Sequence, residues 1–424
     1  TLAVLHLADG GANSSIGAAS TDSANLVIQN GATLNYIGTG ATAASNRGFT
    51  LNGLADLGSG FGVANAGTTL TMSGVVSGTG RLRKEGPGTL VLSGTNTYTG
   101  GNLVNSGILR AGSTQAFGNT GTLTTVNSGG TLDLAGFNNS IGGLIGTGTV
   151  SLGGATLTLT NGYSSTFSGS ITGSGGLMKE GGGTQTMSGC ANDYTGPTTI
   201  NGGTIITDCI RDGMVASGIG ASSAASTNLV LASSGVLQYT GGDVATDRGF
   251  TLQGGWGVID VVQAAAELEF EGGVVGAGSL AKRGAGTLIL SGTNTSTGST
   301  SVEAGTLVAG SAQAFGSGLL YSLAGTLVDT TGFNNTVQGL SDNNTAGGVI
   351  AIGERTLTLS AGGASFAGKI TGTTGNLVKI GGGTQVLSGC ENDYQGSTTI
   401  GGGWLRVTCI ADGGEDSSIG ASSN

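Results

Sequence analysis

Proline is almost missing from this chain, with 2 in 424 residues, and no strict Gly-X-Y period accompanies the 89 glycines, so a collagen triple helix is excluded. Basic residues are scarce as well. Fourteen lysines and arginines face 24 acids, for a net charge of −10, which leaves no basic patch and argues against a nucleic-acid partner. No apolar run approaches the roughly 18 residues a membrane helix needs, so this segment is not expected to insert into a membrane. The single histidine, His6, argues against a zinc site, and a Ser-His-Asp triad would have to be built on it, near the edge of the segment. The N-terminus (TLAVLHLADGGANSS) has no basic stretch of the kind that opens a signal peptide and no initiator Met. It begins mid-pattern, and the chain is read as a segment of something longer.

What the chain does have is glycine, hydroxyl residues and short apolar bursts. Charged residues make up 9% and aromatics 4%, yet 37% is hydrophobic, which separates it from charged disordered sequences. Leu26-Val27-Ile28 is followed by Leu34 and Tyr36, and Leu132 and Leu134 by Val150, Leu152, Leu157 and Leu159. Such period-2 bursts between glycine turns predict strands, and no helical period is sustained.

Self-similarity organises these strands. RGFTL occurs at 47–51 and 248–252, KEGPGTLVLSGTNTYTG (84–100) returns as KRGAGTLILSGTNTSTG (282–298), and GFNNSIGGL (136–144) returns as GFNNTVQGL (332–340). MKEGGGTQTMSGCANDYTG (178–196) returns as VKIGGGTQVLSGCENDYQG (378–396). The unit is about 200 residues long, with a shorter echo in which Lys84-Glu85-Gly86 reappears 95 residues on as Lys179-Glu180-Gly181. SSIGAAS, SGIGASS and SSIGASS mark three entries into the unit. The segmentation expected is 1–13 as the overhang of a preceding repeat, 14–216 and 217–416 as repeat units, and 417–424 as the start of a third.

Registry over hundreds of residues fits a solenoid better than an antiparallel sandwich or barrel, because each coil stacks its strands on the coil before. The fold class is therefore all-β, a parallel β-helix forming an elongated rod. Glu267-Leu268-Glu269-Phe270-Glu271 stands where the first copy has Thr69-Leu70-Thr71-Met72-Ser73. Acids replace hydroxyls while apolar positions stay apolar, so the acids are expected to face solvent.

GTGRLRKEGPGTLVLSGTNTYTGG (78–101) and GAGSLAKRGAGTLILSGTNTSTGS (276–299) resemble the passenger-associated transport repeat of bacterial autotransporters. Degenerate forms stand at 173–196 and 372–396. The resemblance implies a right-handed parallel β-helix exported through the periplasm and outer membrane to the cell surface or the medium.

Four cysteines remain. Cys190 and Cys209 are 19 residues apart, as are Cys390 and Cys409, close to the length of one β-helix coil. Successive parallel strands lie about 4.8 Å apart, inside the Cα separation a disulfide accepts, so each pair is expected to join adjacent coils. Free thiols or a metal site are the alternatives. His6 aligns with Cys209 and Cys409. The row Glu267, Glu269, Glu271 is either a solvated edge or a weak site for a hard cation. Tyr98, Tyr194 and Tyr394 are corner packing or a glycan platform, and Asn138, Asn139, Asn334 and Asn335 are turn or ladder residues.

No catalytic residue, cofactor or metal is expected. The function expected is a non-catalytic structural or adhesive surface protein, an adhesin stalk or a component of an extracellular filament or surface layer. Its partners would be further copies, side by side or end to end, or host and surface glycans and proteins. The competing reading is a glycan-binding or glycan-cleaving β-helix enzyme. A rod predicts equivalent surfaces in both copies; an enzyme predicts one cleft with clustered acids and aromatics.

Overall fold

Each burst of Leu, Val or Ile alternating with Thr, Ser or Asn is a strand, because one pleated face can be buried while the other meets water. The computed structural model describes residues 1–53, 58–119, 121–160 and 162–422, so the last two positions of the segment 417–424 lie outside the described residues. The chain forms two compact units, Thr1–Ile206 with Val215–Ser222, and Thr207–Met214 with Ser223–Asn424. Each is a parallel β-solenoid. Among the described residues there is no α-helix, only the single 3-10 turns Ser23–Asn25 and Ser226–Asn228.

In the first unit the chain passes through three sheets in turn. One sheet runs through Thr33–Tyr36, Ser59–Val63, Leu82–Glu85, Asn102–Val104 and Leu123–Val126. The second runs through Thr42–Ser45, Thr69–Met72, Thr89–Leu92, Gly107–Ala111 and Gly130–Asp133. The third side carries Asn139–Ile141, Leu157–Leu159, Leu177–Lys179 and Thr198–Ile200. The second unit repeats the plan, with Trp256–Val261, Ser279–Arg283, Thr300–Val302 and Leu320–Ser322 in one sheet. Its companion sheet holds Glu267–Phe270, Thr287–Leu290, Thr306–Ala309 and Leu327–Asp329.

The register shows how the core is built. Leu70, Leu90, Leu109, Leu132, Val150 and Ile171 stack in one column, and each is fully buried. Leu268, Leu288, Leu307, Val328, Ile350 and Ile370 form the same column in the second unit. Each side chain contributes about 1.5–3 kcal/mol by leaving water, and the column is continuous because like pairs with like. Glu267 is exposed and Glu269 half-buried, while Leu268 and Phe270 between them are buried, as the alternation requires.

Coil length is not constant. Leu2 pairs with Leu34, whereas Lys84 pairs with Val104, so the coil contracts from about 32 to 20 residues. Glycine is needed where the contracted coils turn. Gly107 has φ +66, and a Cβ there would meet Gly86 O at 2.4 Å. Its counterpart Gly305 has φ +68, with Gly284 O at 2.5 Å from the same position. No other residue fits a corner that is both left-handed and in contact with the backbone of the coil before.

Candidate functional site

The Lys-x-Gly motif that recurs four times is a corner device. Lys84 lies at an inward position of Leu82–Glu85 and is fully buried. Its Nζ donates to Glu85 O (2.9 Å), Gly86 O (2.7 Å) and Ser106 O (3.1 Å), the last in the following coil. Lys282 donates likewise to Arg283 O (2.7 Å), Gly284 O (2.9 Å) and Ala304 O (3.1 Å). Lys379 reaches Ile380 O and Gly381 O, and Lys179 reaches Glu180 O and Gly181 O. The glycine of each motif, Gly86, Gly181, Gly284 or Gly381, has φ between +69 and +75. A left-handed turn points carbonyls inward, and an ammonium with three donors is matched to them. Burial pulls Lys84 and Lys282 down to about 8, with Glu85 and Asp260 respectively opposing the shift.

The motif asparagine ties coils together. Asn96 Oδ1 accepts from Val76 N (2.8 Å) and its Nδ2 donates to Ala116 O (2.7 Å), bonding the coils on either side. Asn192 and Asn392 accept from Ile171 N and Ile370 N in the same way. Asn139 and Asn335 accept from Ala116 N and Ala314 N, while Asn138 and Asn334 accept from Thr156 N and Thr356 N. These are the ladder and turn roles expected of the GFNN pairs.

Tyr98, Tyr194 and Tyr394 are fully buried, which makes them corner packing and removes the platform alternative. Their hydroxyls bond Asn102 Oδ1, Thr198 Oγ1 (2.7 Å) and Thr398 Oγ1, four residues on. Burial pushes the Tyr394 phenol up to about 12 and raises Tyr98 further.

Two further inward polar pairs escaped the sequence reading. Arg47 and Arg248, from the two RGFTL segments, are buried. Arg47 Nη2 donates to Ala12 O (3.1 Å) and Gly17 O (2.8 Å), and Arg248 Nε to Arg211 O (2.7 Å). Gln185 and Gln385 are also buried; each side-chain amide pairs with the backbone of Leu144 or Leu340. Their recurrence at fixed places in apolar stretches was the available signal.

The sulfurs of Cys390 and Cys409 meet across adjacent coils, with Cα atoms 5.6 Å apart. The strand register here is 20, since Leu387 pairs with Val407. Cys390 lies three residues beyond Leu387 and Cys409 two beyond Val407, so one extra residue on the earlier coil yields the 19-residue spacing. Nineteen therefore measures the coil less one. Glu267, Glu269 and Glu271 do not converge: Glu269 accepts from Ser291 Oγ, and among the described residues no group of three ligating side chains could hold a metal. His6 is exposed, with its backbone N–H donating to Ser15 Oγ.

One side of the second unit, where the sheet ending at Leu340–Ser341 is followed by a separate sheet of Ala364–Phe366, Thr384–Leu387 and Trp404–Val407, carries on its outward face a groove of about 750 Å³ lined by Tyr321, Asn343, Asn344, Ser365, Thr384 and Arg406 among others. Trp256 meets Tyr321 edge-on at 6.4 Å between ring centroids, across the buried outward positions Ala281 and Ser301. Trp404 is outward too, in register with groove residue Thr384. Both tryptophans of the chain thus lie on this face. In the first copy Gly58 and Thr125 stand where Trp256 and Tyr321 do, so the copies differ here, against the equivalent surfaces expected of a rod. None of the residues lining the groove is acidic.

The passenger-associated-transport-repeat family matches four stretches of the chain, residues 82–111, 177–206, 280–309 and 377–407, each opening on the strand of an inward lysine. The chain is 55% identical over 429 positions to the adhesin BmaC autotransporter of Brucella suis biovar 1 (strain 1330). That alignment takes in all of this chain and 12% of the relative. No solved structure matches the chain.

Proposed function

We propose that this chain, built around four passenger-associated transport repeats, is a non-catalytic adhesive segment of a larger autotransporter displayed on a bacterial surface. The observation that carries the reading is the 55% identity to an adhesin over the whole of the chain. The architecture supports it. Of 14 basic residues, Lys84, Lys179, Lys282, Lys379, Arg47 and Arg248 are turned inward to bond coil corners. The repeated motifs therefore stabilise the solenoid, and contact is left to the outward positions that vary between copies. The groove residues offer aromatic, amide, hydroxyl and guanidinium groups with no carboxylate pair to act as acid and base on a glycosidic bond. Segments 14–216 and 217–416 act as the repeat units, and Cys190–Cys209 and Cys390–Cys409 are closed as disulfides, which an exported protein can keep oxidised.

The test is retention of beads coated with the purified chain on cultured epithelial cells, alongside a reducing-end assay on candidate polysaccharides. Retention above albumin-coated beads, with no sugar ends released, is expected. Background retention would remove the adhesive role, and turnover abolished by Glu269→Gln would make the chain an enzyme.

A further inference from the structure

We infer that the groove beside Trp256 and Tyr321 binds a short acidic oligosaccharide, an inference that rests on the adhesive reading and names the chemistry it recognises. Four observations converge on this face. The first is volume: about 750 Å³ lies within the range of small-ligand sites and takes a short glycan. The second is the aromatic pair, Trp256 and Tyr321, held edge-on over small residues so that apolar ring surface borders the groove. The C–H face of a pyranose packs against such surface, and its hydroxyls are left for polar partners.

The third is a set of unspent polar groups. Asn343 and Asn344 both adopt φ 58, and their side-chain amides make no hydrogen bond among the described residues. The loop that presents them is fixed from beneath by buried Asp342, whose carboxylate accepts from Asn344 N (3.0 Å) and Ala367 N (2.6 Å). Ser365 and Thr384 add hydroxyls to the wall. The fourth is Arg406. It is exposed and, among the described residues, has neither an ion pair nor a hydrogen bond, unlike Arg83, Arg110 and Arg283, which meet Glu85, Asp133 and Glu303. A free guanidinium beside amides and an aromatic wall suits a carboxylate or sulfate on a sugar, which it can hold with two parallel bonds. No carboxylate lines the groove, and that of Asp342 beneath the loop is buried, accepting from Asn344 N and Ala367 N.

The chain would be titrated calorimetrically with a hyaluronan hexasaccharide (carboxylate), a heparin-derived hexasaccharide (sulfate) and neutral maltohexaose. One or both acidic hexasaccharides are expected to bind at least ten-fold more tightly than maltohexaose, and which of them binds identifies the anion. Arg406→Ala should erase the preference. Tyr321→Thr, which installs the residue found at Thr125, should weaken every glycan about five-fold or more while leaving the fold intact. The inference is overturned if neither acidic hexasaccharide binds, if maltohexaose binds as well, or if the preference survives Arg406→Ala. It is also overturned if Tyr321→Thr has no effect. Beads retained on cells without any hexasaccharide binding would remove the groove and leave the adhesive role standing.

Discussion

Replacing Lys282 by Met removes one inward ammonium and keeps most of the side-chain volume. Three carbonyls, Arg283 O, Gly284 O and Ala304 O, then lose donors at 2.7, 2.9 and 3.1 Å. A buried acceptor left unpaired costs about 1–3 kcal/mol, so the gross loss is about 3–9 kcal/mol. Two effects reduce it: the folded state no longer desolvates a cation, and corner carbonyls can recruit water. A net cost of about 2–4 kcal/mol remains as an order of magnitude.

In a solenoid each coil leans mainly on its neighbours, so the loss should appear as local opening and a single global midpoint is the wrong observable. Amide hydrogen exchange of Ser279–Arg283 and Thr300–Val302 should accelerate about 30- to 1,000-fold, with little change in the column around Ile350. Trp256 stands on the neighbouring strand, in register with Ser279, and its fluorescence reports the same opening. Lys369→Met is the control. Lys369 forms a half-exposed ion pair with Asp393 at 2.7 Å, worth under about 1 kcal/mol. Protection of the two strands within three-fold of the unsubstituted chain, or changed equally by Lys369→Met, would refute the corner-cap account.

Stability should also rise as the pH is raised from about 8 toward 10. Lys84 and Lys282 are depressed in the folded state, so across that window the unfolded chain binds more protons. Above pH 10 the sign reverses, because Tyr98 and Tyr394 are raised and resist the ionisation the unfolded chain undergoes; local opening free energies from hydrogen exchange, corrected for intrinsic rates, check the first limb at Leu82–Glu85 and Ser279–Arg283 between pH 7 and 9.5 and the second around the two tyrosines between pH 9.5 and 11. Non-reducing peptide mapping should recover Cys190–Cys209 and Cys390–Cys409, and Cys409→Ser should loosen its coil junction by about 3 kcal/mol. A Cys190–Cys390 linkage would contradict the stacking. Asn96→Ala orphans Val76 N–H and Ala116 O, and about 2–4 kcal/mol of local stability should go with them, read as faster exchange at Val76.

The solenoid was legible because its core obeys period 2 and its copies are long enough to align. The substitution of Thr69-Leu70-Thr71 by Glu267-Leu268-Glu269 alone gave the outward face of that strand. The inward lysines were hidden by the general tendency of lysine to stay in water, which a single position gives no reason to doubt. Lys84 is buried because Gly86 turns its carbonyls inward, and that becomes visible only once both residues are placed on one corner. The cysteine spacing placed the pair on adjacent coils and missed the register by one, since the extra residue sits in a loop after the strand. The groove was not legible at all: Trp256 and Tyr321 are 65 residues apart and lie in one copy only, so repetition, the strongest signal in the chain, pointed away from them.

The 95-residue echo and the coil have different periods, and that mismatch explains what the motif is for. Lys84 lies on a strand of the sheet that includes Asn102–Val104, whereas Lys179 lies on a strand of the sheet that includes Leu157–Leu159, a different side of the same unit. Lys282 and Lys379 are displaced in the same manner, on the sheets of Thr300–Val302 and Thr356–Leu359. A recognition motif would need to keep one face to be useful to a partner. A corner cap need not, since each corner that carries the motif poses the same problem: a left-handed glycine and inward carbonyls in need of a donor. The repeated residues therefore serve the stacking of coils, and recognition must be sought at outward residues that differ between the copies.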